Sequence, residues 1–179
     1  MELDKVLETR RSIRAYEPGR TVDRRTLEEL IAAAQQAPSW KNSQTGRYYI
    51  ITSPDRLAQF KSFCLPKGNA LKCADAPVII VTAFEKSVSG FTADGTPENE
   101  LGEEWGAYDL GLQNENLILK AAELGLGTLI MGIRDGEAIR KFLDIPASQE
   151  IAAVISVGYP AEDPKMKPRK DMSEIVSWI

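Results

Sequence analysis

Three arginines and a hydroxyl fall within five residues, Arg10-Arg11-Ser12-Ile13-Arg14. A guanidinium is a fixed planar fork that pairs bidentately with anionic oxygens, so this spacing offers a donor array suited to a phosphate. A charge run of this kind is also what a solvated face looks like, and the run alone does not separate the two readings. A second cationic group lies towards the other end, Lys165-Met166-Lys167-Pro168-Arg169-Lys170, with Pro168 fixing the backbone between Lys167 and Arg169. If the fold brings the two groups together, the phosphate reading gains.

The residues that are missing narrow the chemistry further. The 179 residues include no histidine. That removes the commonest neutral-pH general base, the commonest zinc ligand, and the Ser-His-Asp and Cys-His machineries together. With 26 acidic against 22 basic side chains the net charge is −4, which argues against a general nucleic-acid binder and makes the arginine cluster a local exception. A hydrophobic content of 43% over this length fits a single domain spanning residues 1–179. Cys64 and Cys73 are too far apart for a Cys-x-x-Cys motif, and nothing at the N-terminus resembles a signal peptide. Reduced thiols in the cytoplasm are the expectation, with a disulfide left open. No apolar run approaches the roughly 20 residues needed to span a bilayer, so no membrane role is expected.

The elements that must position these groups follow from periodicity. Leu3, Val6 and Leu7 predict a short amphipathic helix over 3–9 whose end delivers the arginines. Asp23 reads as the N-cap of a helix carrying Leu27, Leu30, Ile31 and Ala34, which stops before Pro38. Strands are predicted over 47–52, 77–84, 128–131 and 152–157, the second apolar throughout and so buried on both faces. Between them lie a helix from Ser53-Pro54-Asp55 through Phe60, a long helix over 108–124 stopped by Gly125, and a helix capped by Asp135 through Leu143. The polar, glycine-containing segment 85–104 reads as a mobile surface loop. Alternation of this kind suggests a mixed α/β layer fold, although the two opening helices and the long middle helix do not fit a regular doubly wound pattern. The tail 161–179 ends in Glu174-Ile175-Val176-Ser177-Trp178-Ile179, an apolar stretch unable to cover itself, which suits docking on a partner subunit.

Other motifs are individually weak. Gly125-Leu126-Gly127 follows a helix and precedes a strand, the wrong order for a dinucleotide fingerprint, and reads most simply as a helix stop and a turn. Asn69 and Lys72 stand three residues apart before the second strand, and Pro38-Ser39-Trp40-Lys41-Asn42 makes a polar loop with one aromatic. Turn hydrogen bonds and a solvated lysine account for both. Asp109, Gln113 and Asn116 share one face of the long helix, turned to solvent, to another helix or to a ligand.

Taken in order, these elements resemble a known family. The series Arg-Arg-Ser-x-Arg-x-Tyr, Ala37-Pro38-Ser39 with Asn42 and Gln44, Asp109-x-Gly111 with Asn116-Leu117, Leu124-Gly125-Leu126-Gly127-Thr128, Gly132, and Val157-Gly158-Tyr159-Pro160 is similar to the nitroreductase family of FMN enzymes, from Glu2 to Arg169. The resemblance implies an α+β fold, a mixed and mainly antiparallel sheet flanked by helices. It also implies a long central helix at the interface of a homodimer, with one FMN at each of two sites shared across it. Arg10, Arg11 and Ser12, with Lys167 and Arg169, would hold the FMN phosphate, and Arg14 would reach the pyrimidine edge of the ring. Asn69 and Lys72 would lie near the ribityl chain and the N1 and O2 side, Met131 and Gly132 would approach N5 and O4, and Pro38, Ser39 and Asn42 would come from the other subunit. No metal is implied.

The activity so implied is a ping-pong transfer of electrons from NADH or NADPH to a small electron-poor acceptor, such as a nitroaromatic or quinone. Flavin chemistry needs no side-chain base, which suits a chain without histidine, and a cation near N1 and O2 stabilises the reduced ring. Two rivals remain: a dehalogenase or flavin-modifying enzyme on the same fold, and a flavin-binding module without turnover. The chain departs from the family pattern in a short, acidic 85–104 segment, in arginine rather than lysine at position 14, and in the extra cations Lys165 and Lys170.

Overall fold

The computed structural model describes residues 2–179. Two helices, α1 (Leu3–Thr9) and α2 (Arg24–Gln35), open the chain, followed by a 3-10 turn over Trp40–Asn42 and strand β1 (Gly46–Ile51). Helices α3 (Pro54–Cys64) and α4 (Lys67–Lys72) lead to β2 (Val78–Glu85), and after a long connection α5 (Glu104–Glu123) crosses the molecule. Strand β3 (Gly127–Met131), helix α6 (Gly136–Leu143), strand β4 (Gln149–Gly158) and a 3-10 turn at Met172–Glu174 complete the order.

The four strands form one sheet in the order β1-β2-β4-β3, and each neighbouring pair is antiparallel. The alternation of helix and strand suggests a mixed α/β layer fold without settling strand direction, and the family resemblance implies a mainly antiparallel sheet. Here the connections return the chain in the opposite sense, giving the α+β architecture. Among the described residues the one parallel contact is an isolated bridge from Ser12 to Thr128.

Strand β2 lies inside the sheet, and Val78 to Phe84 are all buried, as an uninterrupted apolar run requires. Its side chains alternate between two cores. Ile79 and Val81 join Phe60 and Ile139 from α3 and α6, while Val78 and Ile80 join Leu27, Leu30, Leu117 and Ile118 from α2 and α5. Each such side chain contributes roughly 1.5–3 kcal/mol on burial. Asp23 caps α2 through the Thr26 amide at 2.8 Å, and Asp135 caps α6 through the Ala138 amide at 2.9 Å.

Helix α5 starts four residues before its predicted position, and Gly106 in its first turn lies so close to Phe84 that a β-carbon there would meet the ring. Gly125 ends that helix region in the left-handed conformation, φ 75°. The segment expected to be a mobile loop is pinned at several points: Ser89 and Gly90 are buried, Glu98 N–H donates to the Gly90 carbonyl at 2.8 Å, and Glu103 accepts from Ser87. Both cysteines are free and buried. Among the described residues no helix is long and apolar enough to cross a membrane. In the tail Met172, Ile175 and Trp178 are exposed, Trp178 at 88%, so nothing within this chain covers them.

Candidate functional site

The Arg10–Tyr16 segment leaves α1 and runs as an extended strap across the ends of β3 and β4. Ile13 N–H donates to the Thr128 carbonyl at 2.9 Å, and Glu17 N–H donates to the Tyr159 carbonyl at 2.9 Å. Ile13 and Tyr16 turn inward and are buried, leaving Arg10, Arg11, Ser12 and Arg14 on the outer side. The glycines beneath are matched to this strap. A β-carbon on Gly127 would meet Ile13, and one on Gly158 would meet Tyr16 and Pro77. The reading of Gly127 as a plain turn residue therefore gains a reason: the strap approaches too closely for a side chain.

The same strap explains how the two cationic groups meet. Tyr16 bridges to Pro160, and Ala161 N–H donates to the Ala15 carbonyl at 3.0 Å, so the tail departs alongside the arginines. Glu162 accepts from the Arg14 amide and fixes the turn. A cavity of about 160 Å³ results, walled by Arg10, Arg11, Ser12 and Arg14 on one side and by Pro164, Lys165, Lys167 and Arg169 on the other. Lys165 thus belongs to the wall, and Lys170 does not. Among the described residues none of the six cations is in an ion pair. Like charges gathered without ion pairs repel, and the arrangement is relieved by an anion in their midst. Ser12 adds a neutral donor to the same wall, so the donor set fits a phosphate.

A second group assembles at the end of β3. Asn69, on α4, donates through Nδ2 to the Ile133 carbonyl at 2.8 Å, and Lys72 one turn later donates to Asn69 Oδ1 at 3.5 Å. This brings Asn69 and Lys72 to the Met131–Gly132 stretch. The Met131 side chain is buried in the core, so only its backbone is available, while Gly132 is exposed with open space where a side chain would stand.

Pro38, Ser39 and Asn42 form a third group, sharing no hydrogen bond with the cation cluster among the described residues. Their loop is unusual in its backbone: Lys41, Asn42 and Gln44 have φ of 47°, 57° and 50°. Each left-handed residue costs roughly 1–2 kcal/mol, so the surroundings must hold the shape. They do so from below. Asp109 Oδ2 accepts from the Trp40 amide at 2.9 Å and from Ser89 Oγ at 2.6 Å, and Ser39 Oγ accepts from the Gln44 amide at 3.1 Å. Ser43 meets Ser89 at 2.7 Å, Lys41 pairs with Glu98 at 2.5 Å, and the Trp40 and Trp105 rings lie 4.6 Å apart.

Of the polar face on α5, Asp109 and Gln113 are buried and Asn116 donates to the Ala33 carbonyl at 3.3 Å on α2. Gln113 fills the space beside Gly46 and accepts from the Tyr48 hydroxyl at 3.0 Å. Sequence reasoning missed Ser89, Trp105 and Glu162, whose roles depend on partners distant in the chain. A larger cavity, about 640 Å³, lies between α2 and the outer strand β1, but its walls include Val22, Leu27, Ile31 and Ile50 with Arg24 as the one cation. Its apolar lining does not suit an anion, and the smaller cationic cavity carries the phosphate argument.

A model of the nitroreductase family matches residues 7–159. The chain belongs to the nitroreductase family. This nitroreductase-family chain is 28% identical over 163 residues to a protein of Archaeoglobus fulgidus provisionally named NADH dehydrogenase/NAD(P)H nitroreductase, covering 89% of this chain and 86% of that one. It is 26% identical over 203 residues to the 4-nitrobenzoate reductase of Pseudomonas putida, covering 90% and 87% respectively. The crystal structure of a nitroreductase family protein from Streptococcus pneumoniae superposes with a TM-score of 0.86 at 20% identity, over 99% of this chain and 100% of the other, which shows the shared fold.

Proposed function

We propose that the protein is a homodimeric, FMN-dependent oxidoreductase that moves electrons from NADH or NADPH to a small electron-poor acceptor, such as a nitroaromatic or quinone, in two separate half-reactions. The observation that carries the reading is the set of six cations without ion pairs around one small cavity, beside Ser12, in a nitroreductase-family chain without histidine. The names of the relatives point to oxidoreductase chemistry with a nicotinamide donor. FMN, when bound, supplies hydride acceptance and donation at its N5 atom.

The chain's own residues then hold and tune. Arg10, Arg11 and Ser12 grip the phosphate from the strap, and Lys167 and Arg169, with Lys165, close on it from the tail. Arg14 at the outer end of the strap and Lys72 on α4 place positive charge towards the ring, where added electron density is stabilised by it. Gly132, with no side chain, leaves room for the ring edge, and Asn69 steadies the backbone beside it. The second protomer supplies Pro38, Ser39 and Asn42 to complete the pocket. Residues 1–179 form a single cytoplasmic domain whose tail, 161–179, docks on the partner through the exposed Ile175 and Trp178.

The visible spectrum of the purified protein, recorded before and after anaerobic addition of NADPH, tests cofactor and activity together. A flavin spectrum that bleaches supports the reading. A colourless protein that takes up no added FMN overturns it, and a bound flavin that neither NADPH nor NADH reduces favours a binding module.

A further inference from the structure

Asp109 is the one charged side chain that is buried among the described residues, at 2% exposure, and the phosphate cavity makes no use of it. A carboxylate is costly to bury unless its oxygens accept hydrogen bonds. Here one oxygen receives both the Trp40 amide and the Ser89 hydroxyl, and Ser89, equally buried, meets Ser43. Three sequence-distant pieces therefore converge on a single atom: the left-handed Ser39–Gln44 loop, the connection before α5, and α5 itself. An alanine at this position would leave the buried Trp40 amide and Ser89 hydroxyl without their shared acceptor, whereas an asparagine could keep its one oxygen there.

We infer that Asp109 is a positioning residue which, through Trp40 and Ser89, holds the Ser39–Gln44 loop in the shape that presents Ser39 and Asn42 to the flavin of the partner protomer, and so sets flavin affinity from behind the loop. The inference rests on the reading under Proposed function that this loop reaches the partner's FMN. The strained backbone of Lys41, Asn42 and Gln44 is what makes the support necessary, because a loop released from Asp109 relaxes to ordinary φ values.

The test uses the dimeric protein stripped of flavin and titrated with FMN, comparing the parent, Asp109→Ala, Ser89→Ala, Ser39→Ala, Asn42→Ala and Arg10→Ala, and the Asp109→Ala/Asn42→Ala double variant. Amide exchange at Trp40 in the flavin-free protein reports the loop directly. In Asp109→Ala, with the circular dichroism of the parent, Trp40 is expected to exchange at least tenfold faster and the FMN dissociation constant to rise at least fivefold. Asn42→Ala should weaken FMN binding in the parent and add less than twofold in the Asp109→Ala background, a non-additivity that mere destabilisation does not produce. Parental affinity in Asp109→Ala, or fully additive losses, overturns the inference. Should Asp109→Ala fail to fold, Ser89→Ala reads the same point, and parental affinity there overturns it equally. If Asn42→Ala and Ser39→Ala leave affinity unchanged in the parent while Arg10→Ala lowers it, the loop role is lost and the flavin reading stands. If the parent binds no FMN at all, both are lost.

Discussion

The Tyr16 hydroxyl lies 2.8 Å from Ser156 Oγ and donates to the Ile13 carbonyl at 3.0 Å, fastening the arginine strap to β4 inside the core. Burial pushes the phenol well above its ordinary pKa, so the group stays a donor. Tyr16→Phe leaves a buried carbonyl and hydroxyl short of a partner and should cost about 1–3 kcal/mol, read as a lower urea midpoint with unchanged slope.

Gly158→Ala tests the close approach beneath the strap. The new β-carbon would stand 2.6 Å from Pro77 and 2.9 Å from Tyr16. Overpacking of this kind costs about 1–3 kcal/mol, and displacement of the strap should weaken FMN binding as well. Gly68→Ala is the control: its β-carbon meets nothing within 4 Å, so stability should stay level or rise.

Arg10→Ala and Arg169→Ala should each weaken FMN binding ten- to a hundredfold, the equivalent of about 1.5–3 kcal/mol for a charge-assisted contact. Lys170→Ala, outside the cavity wall, should change it little. Fluorescence titration separates them, and equal effects at all three positions would reduce the grip to general electrostatic attraction.

Stability should fall at alkaline pH. Burial raises the Cys64 thiol from 9.0 to about 11 and the Tyr48 phenol from 10.0 to about 12. Above 9.0 the unfolded chain releases the thiol proton while the folded chain keeps it, so the unfolded state binds fewer protons and stability declines with pH. The Cys64 contribution is complete below 9.0 and gone above about 11, and the Tyr48 contribution follows between 10.0 and about 12. Urea midpoints measured across this range check the slope, and Cys64→Ala should flatten its lower part.

Removal of residues 171–179 takes away the exposed Ile175 and Trp178. Light scattering should then report monomers, and the flavin should leave with the dimer. A monomer that retained FMN would contradict a pocket built from two chains.

Local signals were legible where a few neighbouring residues settle the outcome. The stripe of Leu3, Val6 and Leu7 gave the bounds of α1, and Asp23 and Asp135 cap the helices assigned to them. Helix α4 escaped notice because its six residues bury no side chain and so carry no periodicity. The antiparallel sheet was not visible in the alternation of elements, since strand direction is set by pairing across the chain. The cation cavity was legible in residue type but not in membership: Lys165 and Lys170 look alike in sequence, and the path of the tail after Ala161 divides them. The segment before α5 is a largely exposed loop as expected, but its polarity hid the buried Ser89 and the bond that ties it to the Asp109 side chain.

The meeting of Arg10 with Arg169 joins opposite ends of the chain, and it needs β3 and β4 already paired to receive the strap. Contacts of such sequence separation close late, because the loop entropy must be met before they reward it. The phosphate grip is therefore among the last features to appear as the chain folds, and partly folded molecules lack it. Capture of the ligand during refolding would mark the arrival of both the finished topology and the paired chains, giving a kinetic signal that spectroscopic probes of helix content would pass over.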